Sequence, residues 1–214
     1  MNVKYPELIE KDDKGNYHYK ISFFNRTDRI NYFFNTSRDG GDAITNIYKI
    51  IIGKEYWNSL RYRDFFVRKC NIKPSNVIIF LFDNETQTNK KPLYKFLNQY
   101  KENENNGNEN KDVLINNIKN KCWSKLKDNM FIVCTPLIDE KNETEIEDLL
   151  NIELDKYEHM TGRKYDGSGK KGKKEGFFNK NEFSQYIAKN YKKIDFNEFV
   201  PLLDSIKSVI EAYR

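Results

Sequence analysis

Two carboxylates, Asp83 and Glu85, follow directly on the longest apolar run of the chain, Val77 to Phe82. In open α/β sheets, ligands bind beyond the carboxyl ends of the strands. Carboxylates two residues apart, with Asn84 between them, can converge on one divalent cation once the strand has ended. A hard cation takes oxygen ligands, activates water and steadies a phosphoryl transition state. The same three residues also suit a solvated turn, because Asp and Asn favour turns.

Three further groups of residues could take part in such chemistry. Asp39-Gly40-Gly41-Asp42 precedes a helical pattern. Its glycines allow close approach to a phosphate or a metal, and Asp42 equally suits an N-cap. Glu145-Ile146-Glu147-Asp148 follows a second apolar strand. Acids there could reach a metal or simply complement a helix dipole. The third group is basic: Arg163, Lys164, Lys170, Lys171, Lys173 and Lys174, interleaved with glycines. It could follow a phosphate chain without reading bases, or stand as a solvated loop.

Other chemistries are poorly served. The chain has 2 histidines, His18 and His159, too few for a multi-histidine metal centre. Its 3 cysteines, Cys70, Cys122 and Cys134, are odd in number and widely spaced. They suit a reducing cytoplasm and offer no zinc site or nucleophile pattern. A metal here would therefore be held by carboxylates, which points to Mg2+ or Mn2+. The net charge of +5 is a mild basic bias, so the placement of charge matters more than its total. No run approaches the length of a transmembrane helix. The start of the chain carries no apolar signal region, so it is read as cytoplasmic.

The elements that must position these residues follow from periodicity. A chain of 214 residues can bury about 70% of its unfolded surface without a staple. Aromatic residues make up 14% of it, which argues against disorder. Residues 1–30 read as short strands and turns, with a turn at Lys14-Gly15-Asn16 and alternation from Tyr17 to Phe23. Ile30 to Asn35 is a further apolar-aromatic stretch. Helical spacing marks Ala43 to Ile51, Trp57 to Lys69, Pro92 to Tyr100, Glu143 to Leu154, Asn181 to Asn190 and Val200 to Tyr213. Val77–Phe82 and Met130–Cys134 are continuous apolar strands, as expected inside a sheet covered on both faces. Residues 101–112 and 162–176 read as loops. This alternation predicts an α/β fold with a mostly parallel sheet flanked by helices, a short N-terminal β segment and C-terminal helices.

Taken in order, several of these segments resemble a known family. VIIFLFDNE (Val77 to Glu85) resembles the strand and acidic signature of Toprim domains, whose members usually show Asp-x-Asp. FIVCTPL and EIEDLLN (Phe131 to Leu137, Glu145 to Asn151) resemble the next strand and the Ile-Glu-Asp-Leu segment of bacterial Toprim-like nucleases. Asn25 to Phe34, Asp39 to Ile51, Asn179 to Tyr191 and Ile194 to Ile206 are similar to the opening and the C-terminal helices of the Toprim-like domain joined to certain retron reverse transcriptases.

The resemblance implies a Rossmann-like Toprim core over residues 31–160, after an N-terminal segment (1–30) and before a basic loop and C-terminal helices (161–214). It implies a nuclease dependent on Mg2+ or Mn2+, acting on DNA or RNA. The chain would be an antiviral effector held in check by a retron reverse transcriptase and its RNA-linked DNA. Asp83 matches the first Asp of the signature, and Glu85 replaces the second. The Glu that the family places after its first strand has no direct match, and Asp39 or Asp42 could take that role. Glu147 corresponds to the acid of the Ile-Glu-Asp-Leu segment. Lys180 resembles a lysine that stabilises transition-state charge. The departure at the first-strand Glu leaves a second expectation open, a catalytically degenerate module that binds nucleic acid or a reverse transcriptase. Oligomeric state is open at this level.

Overall fold

A continuous apolar strand needs cover on both faces, and the computed structural model provides it with helices on each side of a small sheet. It describes residues 4–24, 27–33, 41–51, 69–85, 90–103, 111–138, 141–167 and 175–214. The first elements are a hairpin of β1 (Ile9–Lys11) and β2 (Tyr17–Tyr19), then α1 (Asp28–Phe33) and α2 (Gly41–Ile51). Next come β3 (Ile78–Phe82), α3 (Pro92–Asn103), α4 (Lys111–Lys121), β4 (Trp123–Lys127) and β5 (Met130–Cys134). A 3-10 turn (Ile146–Leu150) leads into α5 (Asn151–Thr161). The chain closes with β6 (Lys164–Tyr165), β7 (Phe177–Phe178), α6 (Lys180–Asn190) and α7 (Val200–Tyr213).

The central sheet has the order β3-β5-β4. β3 runs parallel to β5, with Ile78 opposite Met130 and Phe82 opposite Cys134. β4 is antiparallel to β5. The fold is thus mixed α/β, and where a mostly parallel sheet is expected the central sheet has one parallel pair beside one antiparallel pair. The antiparallel pair has a local cause. Only Asp128 and Asn129 separate β4 from β5, and Asp128 takes a positive φ of 50°. So tight a connection can only make a hairpin, since a parallel pair needs a crossover.

Strand alternation sorts the core into two sides. Phe80, Phe82, Met130, Ile132 and Cys134 face one way, against Tyr48 of α2, Leu93, Phe96 and Leu97 of α3, and Leu114 and Ile118 of α4. Tyr48 meets Phe80 edge-on at 5.6 Å and Phe96 at 5.1 Å. Ile79, Leu81, Phe131 and Val133 face the other way, against Leu149, Leu202 and Val209. All five residues of β5 are buried, as a strand covered on both faces requires.

A third, smaller aromatic cluster joins Tyr157, Tyr165, Phe178 and Phe183. Its ring centroids lie 4.7 Å (Tyr157–Phe178) and 5.5 Å (Tyr165–Phe178) apart. It packs the β6/β7 pair against α5 and α6.

Several boundaries differ from the sequence expectations. Asp28–Phe33 is helical, across the end of the segment read as strands and turns (1–30) and the start of the apolar-aromatic stretch Ile30 to Asn35. The N-terminal strand is confined to Tyr17–Tyr19. The segment after Glu143 starts as a 3-10 turn and becomes α-helical only at Asn151. α4 and β4 carry weak patterns. In α4 only Leu114 and Ile118 are buried, and in β4 the inward positions are Ser124 and Leu126. Ser124 satisfies its hydroxyl with the Asn117 side-chain amide at 3.1 Å. The expected helix from Trp57 lies outside the described residues as far as position 68.

Phe131 is 1% exposed and touches Trp123 and Tyr213. Phe131→Ala is expected to cost about 3–5 kcal/mol, the range for emptying a packed aromatic site. Equilibrium denaturation in urea checks this.

Candidate functional site

The site is built where β3 ends. Asn84 continues the strand by one bridge to Thr144, donating its N–H to the Thr144 carbonyl at 2.8 Å and accepting the Thr144 N–H at 3.1 Å. Its side-chain amide donates to the Thr135 carbonyl at 3.0 Å. The Thr135 hydroxyl donates to the Thr144 carbonyl at 2.6 Å and receives the Asn84 N–H at 2.9 Å. All three residues are buried. This clasp ties the ends of β3 and β5 to the segment carrying Glu145 and Glu147, and it turns Asp83 and Glu85 towards that segment.

Asp83 Oδ1 accepts the backbone N–H of Ile146 at 2.9 Å. Burial raises the Asp83 pKa to about 6, and nearby Glu147 and Glu145 push the same way, against the Ile146 hydrogen bond and Lys180. Lys180 Nζ lies 2.7 Å from Glu147 Oε1 and 3.5 Å from Glu145 Oε2. Burial works against the Lys180 charge, but Glu147, Glu145 and Asp83 outweigh it and raise its pKa. The Tyr165 hydroxyl donates to Glu147 Oε1 at 3.2 Å. Burial, with Glu147 beside it, holds that phenol well above its ordinary pKa. Glu147 Oε2 is buried and has no hydrogen-bond partner among the described residues.

Glu85 is 5% exposed and pairs with Lys91. Lys91 also lies 3.8 Å from Glu145. The Glu85 contact is the main reason the Lys91 pKa is raised. Asp148 serves a local purpose. Its Oδ2 accepts the Glu145 N–H at 2.8 Å, and Lys141 pairs with its Oδ1 at 3.0 Å.

The arrangement brings Asp83, Glu85, Glu147 and Lys180 to one end of the sheet. Asp42 is the second residue of α2. Asp39 lies outside the described residues, as do Lys170, Lys171, Lys173 and Lys174. Arg163 is engaged with Glu182 at 2.7 Å and with the Phe177 carbonyl, pinning α6 to β7. Lys164 is exposed in β6. Sequence reasoning missed Lys91 and Tyr165. Lys91 precedes the Pro92 helix start in a Lys-Lys-Pro run that could have been read as a cation near the Asp83 strand end. Tyr165 lay hidden in a segment read as loop, and nothing in its spacing signals contact with Glu147.

Among the described residues, no three His, Cys, Asp or Glu side chains form a group that could hold a metal ion by themselves. The donor chemistry nevertheless fits Mg2+ or Mn2+. The donors are carboxylate oxygens, Glu147 Oε2 has no partner, and Mg2+ is commonly held by one or two carboxylates with its remaining positions filled by water and substrate phosphate. No protein-family model matches the chain, and no solved structure matches it. No helix among the described residues is long and apolar enough to cross a membrane.

The Asp83 environment gives a signed stability prediction. A carboxyl whose folded pKa lies above its unfolded value favours folding when protonated. That contribution is lost as pH rises from about 4 towards about 6. Asp83→Asn keeps the oxygen that accepts the Ile146 N–H and removes the charge. It is expected to raise the melting temperature well above pH 6 and to leave it nearly unchanged near pH 4. Thermal melts of both proteins across that window check this.

Proposed function

We propose that the chain is a Toprim-like nuclease dependent on Mg2+ or Mn2+ that hydrolyses phosphodiesters of DNA or RNA. The observation that carries this reading is the meeting of Asp83, at the end of a core strand, with Glu147 and Lys180 from two other parts of the chain. Desolvated carboxylates beside one another, with a lysine among them, are the mark of a working site more often than of a solvated turn.

In this reading Asp83 and Glu147 hold the cation. Such a cation, when bound, offsets phosphate charge and activates water. Asp83 Oδ1 is fixed by Ile146, which leaves Oδ2 to ligate or to take up a proton. Tyr165 orients Glu147 through Oε1. Lys180 Nζ supplies positive charge for the developing phosphorane. Glu85, paired with Lys91, sets the electrostatics of the floor. The likeness to retron-associated domains supports a role as a cytoplasmic antiviral effector, controlled by a reverse transcriptase and its RNA-linked DNA.

A second reading is a degenerate module that binds nucleic acid or a reverse transcriptase without cutting. The pairing of Glu85 with Lys91 and of Glu147 with Lys180 favours it, since both lysines neutralise carboxylates that a metal would otherwise use.

Cleavage assays on labelled tRNA, single-stranded DNA and duplex DNA, with Mg2+, Mn2+ or EDTA, separate the two. The nuclease reading expects metal-dependent cleavage that weakens towards acid pH, where protonation of Asp83 competes with the cation. Asp83→Asn and Glu147→Gln should each lower the rate at least about a hundredfold, and Lys180→Met by a similar factor. Cleavage that persists in EDTA or in Asp83→Asn overturns it. Binding without cleavage by the folded protein supports the module.

A further inference from the structure

Glu145 touches two lysines at once. Its Oε1 lies 3.8 Å from Lys91 Nζ, and its Oε2 lies 3.5 Å from Lys180 Nζ. Lys91 continues the line to Glu85, and Lys180 continues it to Glu147 at 2.7 Å. Acids and lysines thus alternate without a break from Glu85 to Glu147. Asp83 is not part of this line. Its Oδ1 takes the Ile146 N–H, and no ion pair among the described residues engages it.

The two ends of the line differ. Glu147 meets Lys180 through Oε1 and keeps Oε2 buried, with no hydrogen-bond partner among the described residues. Glu85 is 5% exposed and in direct contact with the Lys91 ammonium. A divalent ion brought onto Glu85 would stand against a charge of its own sign. Lys91 is also poorly free to withdraw. It immediately precedes Pro92, the first residue of α3, and its carbonyl accepts the Lys95 N–H at 3.1 Å. The first turn of the helix therefore sets its backbone. A cation at that position opposes the helix dipole, which favours anions at an N-terminus. The charge of Lys91 serves the acids and not the helix that carries it.

We infer that the Lys91 ammonium is the resident cation of Glu85 and Glu145, and that it limits the site to a single divalent ion, held by Asp83 and Glu147. This rests on the nuclease reading above and names the metal stoichiometry of that site. Lys91 is a positioning residue: it decides which carboxylates stay open to a metal. Glu85 anchors Lys91 and is not a ligand.

The test counts Mn2+ bound by the whole chain, from the EPR signal of the free ion, with no nucleic acid present. The wild-type chain is expected to bind one ion. Lys91→Met keeps most of the side chain and removes its charge. It is expected to bind two, because Glu85 has lost its cation and two carboxylates with water suffice for such an ion. Lys91→Arg should bind one. Replacing Glu85 and Lys91 together by Gln removes both charges with no net change. This double variant should still bind one ion, with affinity within about tenfold of the parent, because an ion pair presents no net charge to the metal. A larger loss makes Glu85 a ligand and overturns the inference. Two ions on the wild type, or one on Lys91→Met that circular dichroism shows to be folded, also overturn it, and both leave the nuclease reading standing. Should Lys91→Met fail to fold, the wild-type count and the double variant decide by themselves. One ion on the wild type and two on Lys91→Met, with no cleavage of any substrate, sustains the inference and counts against the nuclease. Absence of Mn2+ from all four proteins overturns both.

Discussion

Everything at the carboxyl end of the sheet hangs on a buried hydrogen-bond clasp among Asn84, Thr135 and Thr144. A strand that ends inside a protein leaves backbone groups that must find partners. Here the Asn84 N–H and carbonyl find them on Thr144, and the Thr135 hydroxyl closes the ring. Leaving any of these polar groups unmatched in the core would cost about 1–3 kcal/mol. The clasp therefore fixes the direction in which Asp83 and Glu85 leave β3. It also brings the backbone of Ile146 to the Asp83 carboxylate.

Once the clasp has gathered the acids, charge becomes the next constraint. Asp83, Glu85, Glu145 and Glu147 lie at one end of a sheet whose interior is apolar. Lys91 and Lys180 divide the compensation between them, and Glu145 touches both lysines. Asp83 has no lysine in direct contact among the described ion pairs, and it is the carboxyl whose pKa burial raises to about 6. The distribution is uneven, and the uneven member is the one best placed to take up a proton.

Much of this was legible in the residues. β3 and β5 announce themselves as unbroken apolar runs, and the helices of Pro92 and Val200 follow an apolar stripe. The position of Asp83 and Glu85 at a strand end follows from the same pattern. What was hidden lies in tertiary contacts. β4 exposes Lys125 and buries Ser124, so its alternation is muted, and its role is set by the two-residue turn into β5. α4 buries only two residues and hides beside an Asn-rich stretch. Tyr165 and Lys91 join the site through the aromatic cluster and the Glu85 pair, neither of which leaves a trace in local spacing. Arg163 illustrates the converse. Its basic surroundings suggest a phosphate contact, and the fold uses it on Glu182.

The parallel pairing of β6 with β7 has a consequence for how this architecture can vary. Lys164 stands opposite Phe177, and Tyr165 opposite Phe178. The two ends of the intervening segment are thereby fixed by backbone hydrogen bonds and by the packing of Phe178, independently of what joins them. Lengthening such a connection is cheap, about 0.6 kcal/mol for each doubling. Its length and its charge are free to drift, while Tyr165 on one side and the start of α6 on the other keep their distance from Glu147. Selection can thus alter one stretch of chain without disturbing the geometry of the acids beside it.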